Sequence, residues 1–493
     1  MDTIGQKTPV PLPMPAWQAL SPVRAAREVH ARIAALPDPL RRAALAWLQP
    51  EAELAAELAA RETPASPVVG ASLLATSTEP VASKLAPTKE PLRPLRGVPC
   101  FVKDLFDVAG VPTFAGSTFL PLVRDTPGDS AIVRRLRELG AGIAGKTHLV
   151  EFASGLTGEN PHYGDCPHPR FPHRLSGGSS SGSAALVAAG VVPLAIGTDT
   201  GGSVRVPASW CGVYGFRLTP GDELIRDAFP LSPTMDTAGW FAANAADMQV
   251  TLRAMVDGRA KPPAEPWTLP RAMAQPPVRQ TQGPGAVEGE ASPYPETSGQ
   301  PRGCYLAGRS LLESFDPAVE AACERAAAKL SAGADSAVEA ALRQAWNGAV
   351  EAYLAIGMSE AHAVHRDWLA PYHEYYDPAI WQRFTDAGKL PREKIDDARI
   401  KLEQVRAAWA DYFRTYDFLV LPAVPGPAPT KAECTPELRR NILTLTVPAS
   451  LGGQPCLTLP VALSDGLTAG VQLIAKEPTS PAFTWALKAV GSM

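Results

Sequence analysis

The stretch Pro193–Gly212, "PLAIGTDTGGSVRVPASWCG", ends a short apolar run with Gly201, Gly202 and Ser203. A serine hydroxyl is a weak nucleophile near neutral pH unless a neighbouring base takes its proton. This stretch contains no histidine, so the base must come from elsewhere in the chain. Glycines let the backbone turn tightly and approach a ligand closely. The N–H groups from Thr200 to Ser203 are therefore expected to converge on one oxygen, the arrangement that stabilises a tetrahedral oxyanion. A plain Gly-rich turn after a strand is the alternative.

Two other stretches bear on the missing base. In "SGGSSSGSAALVAAG", Ser176–Gly190, the first eight residues are all serine or glycine and then enter a helix. Serine there serves as a helix cap. The stretch also contains a G-x-S-x-G match centred on Ser180, but that elbow requires a buried strand before it and an acid and a histidine after it. "PHPRFPHRL" precedes it instead, and His362, His365 and His373 fall in an aromatic-rich helical region. In "RGVPCFVKDLFDVAG", Lys103 interrupts an apolar run of Val98, Cys100, Phe101, Val102, Leu105 and Phe106. A lysine buried there loses proton affinity and becomes a neutral base, and a Ser–Lys arrangement activates a nucleophile without histidine. A strand-end lysine paired with Asp104 is the competing reading.

Taken together, "GGSSSGSA…GTDTGGSVRVPASWCGVYGF" and the "VKD" segment resemble the amidase signature family of serine hydrolases. The resemblance is close over Leu95 to Asp257, resumes weakly from Cys304, and returns in "DFLVLPAVPGPAP" and "GQPCLTLPVALSDGLTAGVQLIA". It implies a Ser–cis-Ser–Lys triad made of Ser203 as nucleophile, Ser179 as bridge and Lys103 as base. It likewise implies an oxyanion hole from the N–H groups of Thr200, Gly201, Gly202 and Ser203, with Ser180, Asp199 and Arg205 supporting the loop. Ser181 departs from the family, which usually has glycine there. The implied reaction cleaves a C–N bond other than a peptide bond through an acyl-enzyme, with no metal or organic cofactor.

Within the family, "GENPHYG", "DTAGWFA" and "LPAVPGPAP" are most similar to the branch of indole-3-acetamide amidases. That implies a small, bulky or aromatic amide; a carbamate, anilide or allophanate would use the same triad. An amidotransferase subunit and a catalytically silent scaffold are weaker readings. The first is expected to lack the Pro-rich insertions described below, and the second usually loses a triad residue. "WLAPYHEYYDPAIWQRF" carries Trp368, Tyr372, Tyr375, Tyr376, Trp381 and Phe384, which either line an aromatic pocket or pack as ordinary helix. His162, His168 and His173 lie in a Pro-rich loop context and suggest no metal site.

The elements that must position these residues follow from pattern. Short apolar runs such as "VVPLAIGTD" alternate with helices such as "GDSAIVRRLRELGAG", which argues an α/β domain around a mostly parallel mixed sheet covered by helices. An N-terminal helical segment is expected over residues 1–63, ending in "DPLRRAALAWL" and "PEAELAAELAAR". A Pro/Ser-rich insertion follows at 64–94. The amidase signature domain then spans 95–493, interrupted by a second Pro-rich insertion at 258–302. The 51 prolines in 493 residues, about twice the usual share, reflect those insertions. A net charge of −4 gives no basic footprint, which excludes a nucleic-acid partner. No signal-peptide pattern or long apolar run is present, and seven widely spaced cysteines form no disulfide or zinc pattern. The expectation is a cytoplasmic enzyme acting on a small-molecule amide or carbamate, with no membrane partner and with a homodimer as its assembly if the chain associates.

Overall fold

The computed structural model describes residues 10–62, 93–126, 128–256 and 300–491. The expected insertions at 64–94 and 258–302 lie almost wholly outside the described residues. Eleven strands form one sheet among the described residues. In chain order they are β1 (Leu45–Leu48), β2 (Pro99–Lys103), β3 (Gly142–Thr147), β4 (Leu194–Asp199), β5 (Tyr214–Arg217) and β6 (Thr237–Ala242). β7 (Gly303–Tyr305), β8 (Ala332–Gly333), β9 (Phe418–Pro422), β10 (Cys456–Ala462) and β11 (Thr468–Ala475) complete it. Their spatial order is β1-β3-β2-β4-β6-β5-β10-β11-β9-β7-β8.

The pleat sorts alternate side chains to opposite faces. Cys100, Val102, Ile143, Leu194 and Ile196 join one core cluster, together with Ile132, Val133 and Leu136 of the helix Ala131–Glu138. Phe101, Ala144 and Ala195 join another, covered by the helix Ser181–Ala188. The chain runs from β2 to β3 on one side and returns to β4 on the other, so β3, β2 and β4 are parallel. Crevices beyond the carboxyl ends of such strands are where ligands bind in open α/β sheets.

The expected α/β sheet is present, but parallel pairing does not dominate it. Six junctions are antiparallel (β1–β3, β4–β6, β5–β6, β5–β10, β10–β11 and β9–β11) and four are parallel. Parallel strands need a crossover of a dozen or more residues. The turn at Asp465-Gly466 between β10 and β11 is far too short for one, and it closes a hairpin as its sequence implies.

A second correction concerns "AALAWL". The helix Asp38–Ala44 stops early, and Leu45–Leu48 becomes β1, antiparallel to β3. Alanine and leucine favour helix, but pairing the otherwise open edge of β3 outweighs propensity. Close approach is allowed because Gly145 has no side chain: a Cβ there would lie 2.1 Å from the Trp47 carbonyl oxygen and 2.7 Å from the Phe101 ring.

Five of the six aromatic residues of "WLAPYHEYYDPAIWQRF" pack in or against the core, and Tyr375 is exposed. Tyr376 and Phe384 are buried among Phe119, Phe152 and Phe229, with Trp368, Tyr372 and Trp381 against them. Phe119 stacks on Tyr372 with ring centroids 4.9 Å apart. No helix of the described residues is long and apolar enough to cross a membrane.

The β1–β3 contact yields a prediction. Gly145→Ala forces β1 off the sheet edge and lowers stability by about 1–3 kcal/mol, read as a reduced denaturant midpoint; an unchanged midpoint would show that β1 is dispensable.

Candidate active site

Lys103 is the last residue of β2, and its side chain is completely buried. Its Nζ donates to Ser179 Oγ at 2.7 Å and to Thr198 Oγ1 at 2.7 Å. Ser179 follows a cis peptide bond at Gly178-Ser179 and precedes the helix Ser181–Ala188. Ser180 binds β4 instead, donating from Oγ to the Thr198 carbonyl at 3.1 Å and accepting from the Thr198 N–H at 3.3 Å. The Ser180 N–H donates to the Ser203 carbonyl at 3.4 Å. The two serine loops are thus tied to each other and to the end of β4. Ser180, sequestered in this way, has no histidine against its hydroxyl, so the elbow reading has no support in the geometry.

Asp104 is not the partner of Lys103. It forms a 2.6 Å ion pair with Lys146 of β3, both side chains being buried, and Lys146 also donates to Thr113 Oγ1 at 2.8 Å. Two lysines therefore enter the core side by side, and the adjacent carboxylate is taken by the second. Burial pulls the Lys103 pKa down to about 7, against the opposing attraction of Asp236 and Asp199. A substantial share of Lys103 is then the neutral amine at physiological pH.

The segment after β4 is held by Asp199. Its Oδ1 accepts from the Gly202 N–H at 2.9 Å, and its Oδ2 from the Val204 N–H at 3.0 Å. Arg205 and Arg217 both bind the same carboxylate, each with a contact of 2.9 Å, and all three side chains are fully buried. Burial raises the Asp199 pKa, but the two guanidiniums overcome it and hold the group well below the usual carboxylate range.

On the opposite side, Thr446 Oγ1 donates to the Gly201 carbonyl at 2.6 Å. The Gly201–Gly202 peptide is consequently clamped at both ends, with its N–H turned to Asp199. Gly202 has φ +131°, a conformation that side-chain-bearing residues rarely adopt. The four N–H groups expected to face one oxygen differ in their partners. Gly202 is engaged, whereas the N–H groups of Thr200, Gly201 and Ser203 meet no acceptor among the described residues. The Thr200 hydroxyl donates to Asp236 Oδ1 at 2.5 Å, and Asp236 Oδ2 also accepts from the Leu231 and Ser232 N–H groups.

Ser203 opens on a cleft of about 520 Å³, walled by Leu156, Leu231, Val350, Tyr353, Met358 and Leu443 and edged by Arg383, Arg439 and Arg440. None of the six aromatic residues of "WLAPYHEYYDPAIWQRF" lines it, although Arg383 of that stretch does. His162 pairs with the buried Glu151 at 2.8 Å, and His168 meets the Trp210 carbonyl at 2.9 Å.

Reading the sequence missed Thr198, Asp236, Arg217, Thr446 and Arg383. Thr198 lies inside the quoted "GTDTGGS" and Asp236 inside "DTAGWFA", so proximity to the motifs was the only available signal. Thr446 and Arg383 come from helices 243 and 180 residues beyond Ser203, and no spacing rule reaches them.

The Asp199 cluster makes a stability prediction. Asp199→Asn leaves two buried guanidiniums without their counter-ion and destabilises the protein by about 3–5 kcal/mol; a loss under about 1 kcal/mol in denaturant unfolding would show that the cluster is not a structural tie.

Comparison with known proteins follows the same outline. The family model described as Amidase matches residues 55–479. The 1-carboxybiuret hydrolase subunit AtzE of Pseudomonas sp. (strain ADP) is 33% identical over 403 residues, covering 78% of this chain and 81% of that protein. The indoleacetamide hydrolase of Pseudomonas savastanoi is 46% identical over a shorter span of 155 residues, 31% of this chain and 34% of that one. A crystal structure described as an amidase superposes with a TM-score of 0.74 at 27% identity, covering 98% of this chain and 99% of that one.

Proposed function

The chain belongs to the amidase family, a family of hydrolases acting on carbon–nitrogen bonds, and from that premise we propose that it cleaves a small amide with Ser203 as nucleophile, Ser179 as proton bridge and Lys103 as base. The observation that carries this reading is the 2.7 Å contact between Ser179 and a buried lysine that has no carboxylate within ion-pair distance among the described residues.

Neutral Lys103 accepts the Ser179 proton as Ser179 takes the proton of Ser203. The Ser203 oxygen forms a bond to the carbonyl carbon, and the C=O π pair moves to oxygen. The N–H groups of Thr200, Gly201 and Ser203 hold that oxyanion. As the C–N bond breaks, the relay returns the proton to the leaving amine. Water then attacks the acyl-enzyme by the same route, giving the acid and free Ser203. Ser180, Asp199 and Arg205 act by keeping the two loops in place. The cleft volume of about 520 Å³ suits a compact acyl group, and a carbamate or allophanate would engage the same machinery. Seven free cysteines, six of them buried, suit a cytoplasmic setting.

A fluorophosphonate probe is expected to label Ser203, located by digestion and mass spectrometry. Label on Ser180 instead, or none on folded protein, would defeat the assignment. Lys103→Ala should slow amide turnover by about 10²–10⁴-fold without unfolding the chain.

The same lysine sets a pH dependence. Its folded pKa lies below the ordinary lysine value, at about 7, and the neutral form is the base. Hence kcat/KM should rise as pH increases through about 7 and level off above it. A profile flat from pH 6 to 8 (below any limit set by the substrate) would exclude Lys103 as the titrating base.

A further inference from the structure

Three arginines edge the cleft beside Ser203, and two of them are neutralised. Arg439 Nη2 lies 2.6 Å from Glu159 Oε2, and Arg440 is paired with Glu351. Arg383 has no carboxylate within ion-pair distance among the described residues. Its Nη1 donates to the Ser154 carbonyl at 2.9 Å and to Ser154 Oγ at 3.2 Å. Its Nε and Nη2 meet no acceptor among the described residues, and the side chain is exposed along the cleft.

Asp377 and Glu159 attract Arg383 only from beyond ion-pair distance. Arg383 also lines an adjoining recess of about 220 Å³ that contains Glu159, Asp165 and Asp377. Asp165 is paired with Lys431 at 2.6 Å, and Glu159 serves both Arg439 and Lys431. Asp377 Oδ1 accepts from the Ala379 and Ile380 N–H groups at the start of the helix Pro378–Ala387. Among the described residues the Arg383 guanidinium is thus left without a carboxylate in direct contact, with Nε and Nη2 free of acceptors.

Arg383 is also firmly placed. Ile380, Phe384 and Ala387 of its helix are buried, leaving Ala379 and Arg383, one helical turn apart, at the cleft. The buried Glu151 accepts from the Asp377 N–H at 2.7 Å and fixes the helix start. A guanidinium stays charged at any working pH, and two of its nitrogens in a fork match a carboxylate. Beside walls of leucine, valine and methionine, such a pairing gains more than it would in open water.

We infer that Arg383 is a carboxylate-binding subsite of this cleft, so that the amide presented to Ser203 carries a carboxylate elsewhere in the molecule. The second half of that statement rests on the amidohydrolase reading. Arg383 itself binds and positions, and takes no part in bond making.

The test uses the full-length Ser203→Ala protein, which binds without turnover. Monoamides of malonic, succinic, glutaric and adipic acid are titrated calorimetrically against the matching neutral diamides. At least one monoamide is expected to bind about 10- to 100-fold more tightly than its diamide. In the Arg383→Ala background that advantage disappears, and Arg383→Lys restores part of it. Equal affinity for every pair, or a preference that survives Arg383→Ala, overturns the assignment. Ammonia release by the wild type is measured separately with the preferred monoamide. An Arg383-dependent preference without turnover, and without fluorophosphonate label on Ser203, supports the anion subsite while removing the amidohydrolase reading.

Discussion

A buried amine with no carboxylate in direct contact among the described residues, at the end of a central strand, is the constraint around which this structure is arranged. Burying a lysine disfavours its charged form, and a carboxylate in direct contact would restore the charge. Asp104 is the obvious candidate, one residue along the chain, yet it is turned to Lys146 of the neighbouring strand. The two lysines stand on adjacent parallel strands, with Val102 in register with Lys146 and Lys103 with Thr147. One is neutralised by an ion pair and the other is surrounded by hydroxyls, from Ser179 and Thr198. Hydroxyl groups can donate or accept, so this environment accommodates a neutral amine where a carboxylate would not.

The complementary problem is holding a glycine-rich loop still. Asp199 does so with one carboxylate that accepts from three backbone N–H groups, those of Gly202, Val204 and Arg205, and from two guanidiniums. Those guanidiniums reach far outward. Arg205 also donates to the Thr446 carbonyl, to Gln472 on β11 and to Ser450, and Arg217 shares Ser450. Removing one partner from such a buried group leaves an unpaired charge, which is why these clusters resist piecemeal change. The loop that carries Ser203 is fastened in this way to the helix Pro436–Gly452, a wall of the cleft. Ser203 and the cleft are parts of one packed unit.

The cleft is assembled from short pieces. Residues 153–156 contribute one edge, Leu231 another, and the helices Ala349–His365, Pro378–Ala387 and Pro436–Gly452 the remainder. The first edge includes Ala153, which with Phe152 adopts positive φ. Such backbone is unfavourable for side-chain-bearing residues and persists only where neighbours over-determine it. Here the Phe152 N–H is held by the Ala115 carbonyl at 2.8 Å, and Glu151 joins His162 to the start of the helix Pro378–Ala387. The piece that presents Ser154 to Arg383 is therefore braced from both sides.

Sequence alone determined the α/β class and the family, and it singled out the segments carrying Lys103, Ser179 and Ser203, because these are local. A Gly-Gly-Ser turn after an apolar run, a Ser/Gly tract opening a helix and a lysine within an apolar strand each occupy a few consecutive residues. Their joint resemblance to one family supplied the rest. Tertiary structure decided everything set by contact between distant segments. It turned "LAWL" into an edge strand, gave Asp104 to Lys146, directed the Gly202 N–H to Asp199, and folded most of the aromatic stretch against the core while leaving Arg383 of that same stretch at the cleft. Propensity and spacing describe what a segment can do by itself. Which carboxylate reaches which cation, and which face of a helix meets solvent, depends on partners far away in the chain that only the packed fold brings together.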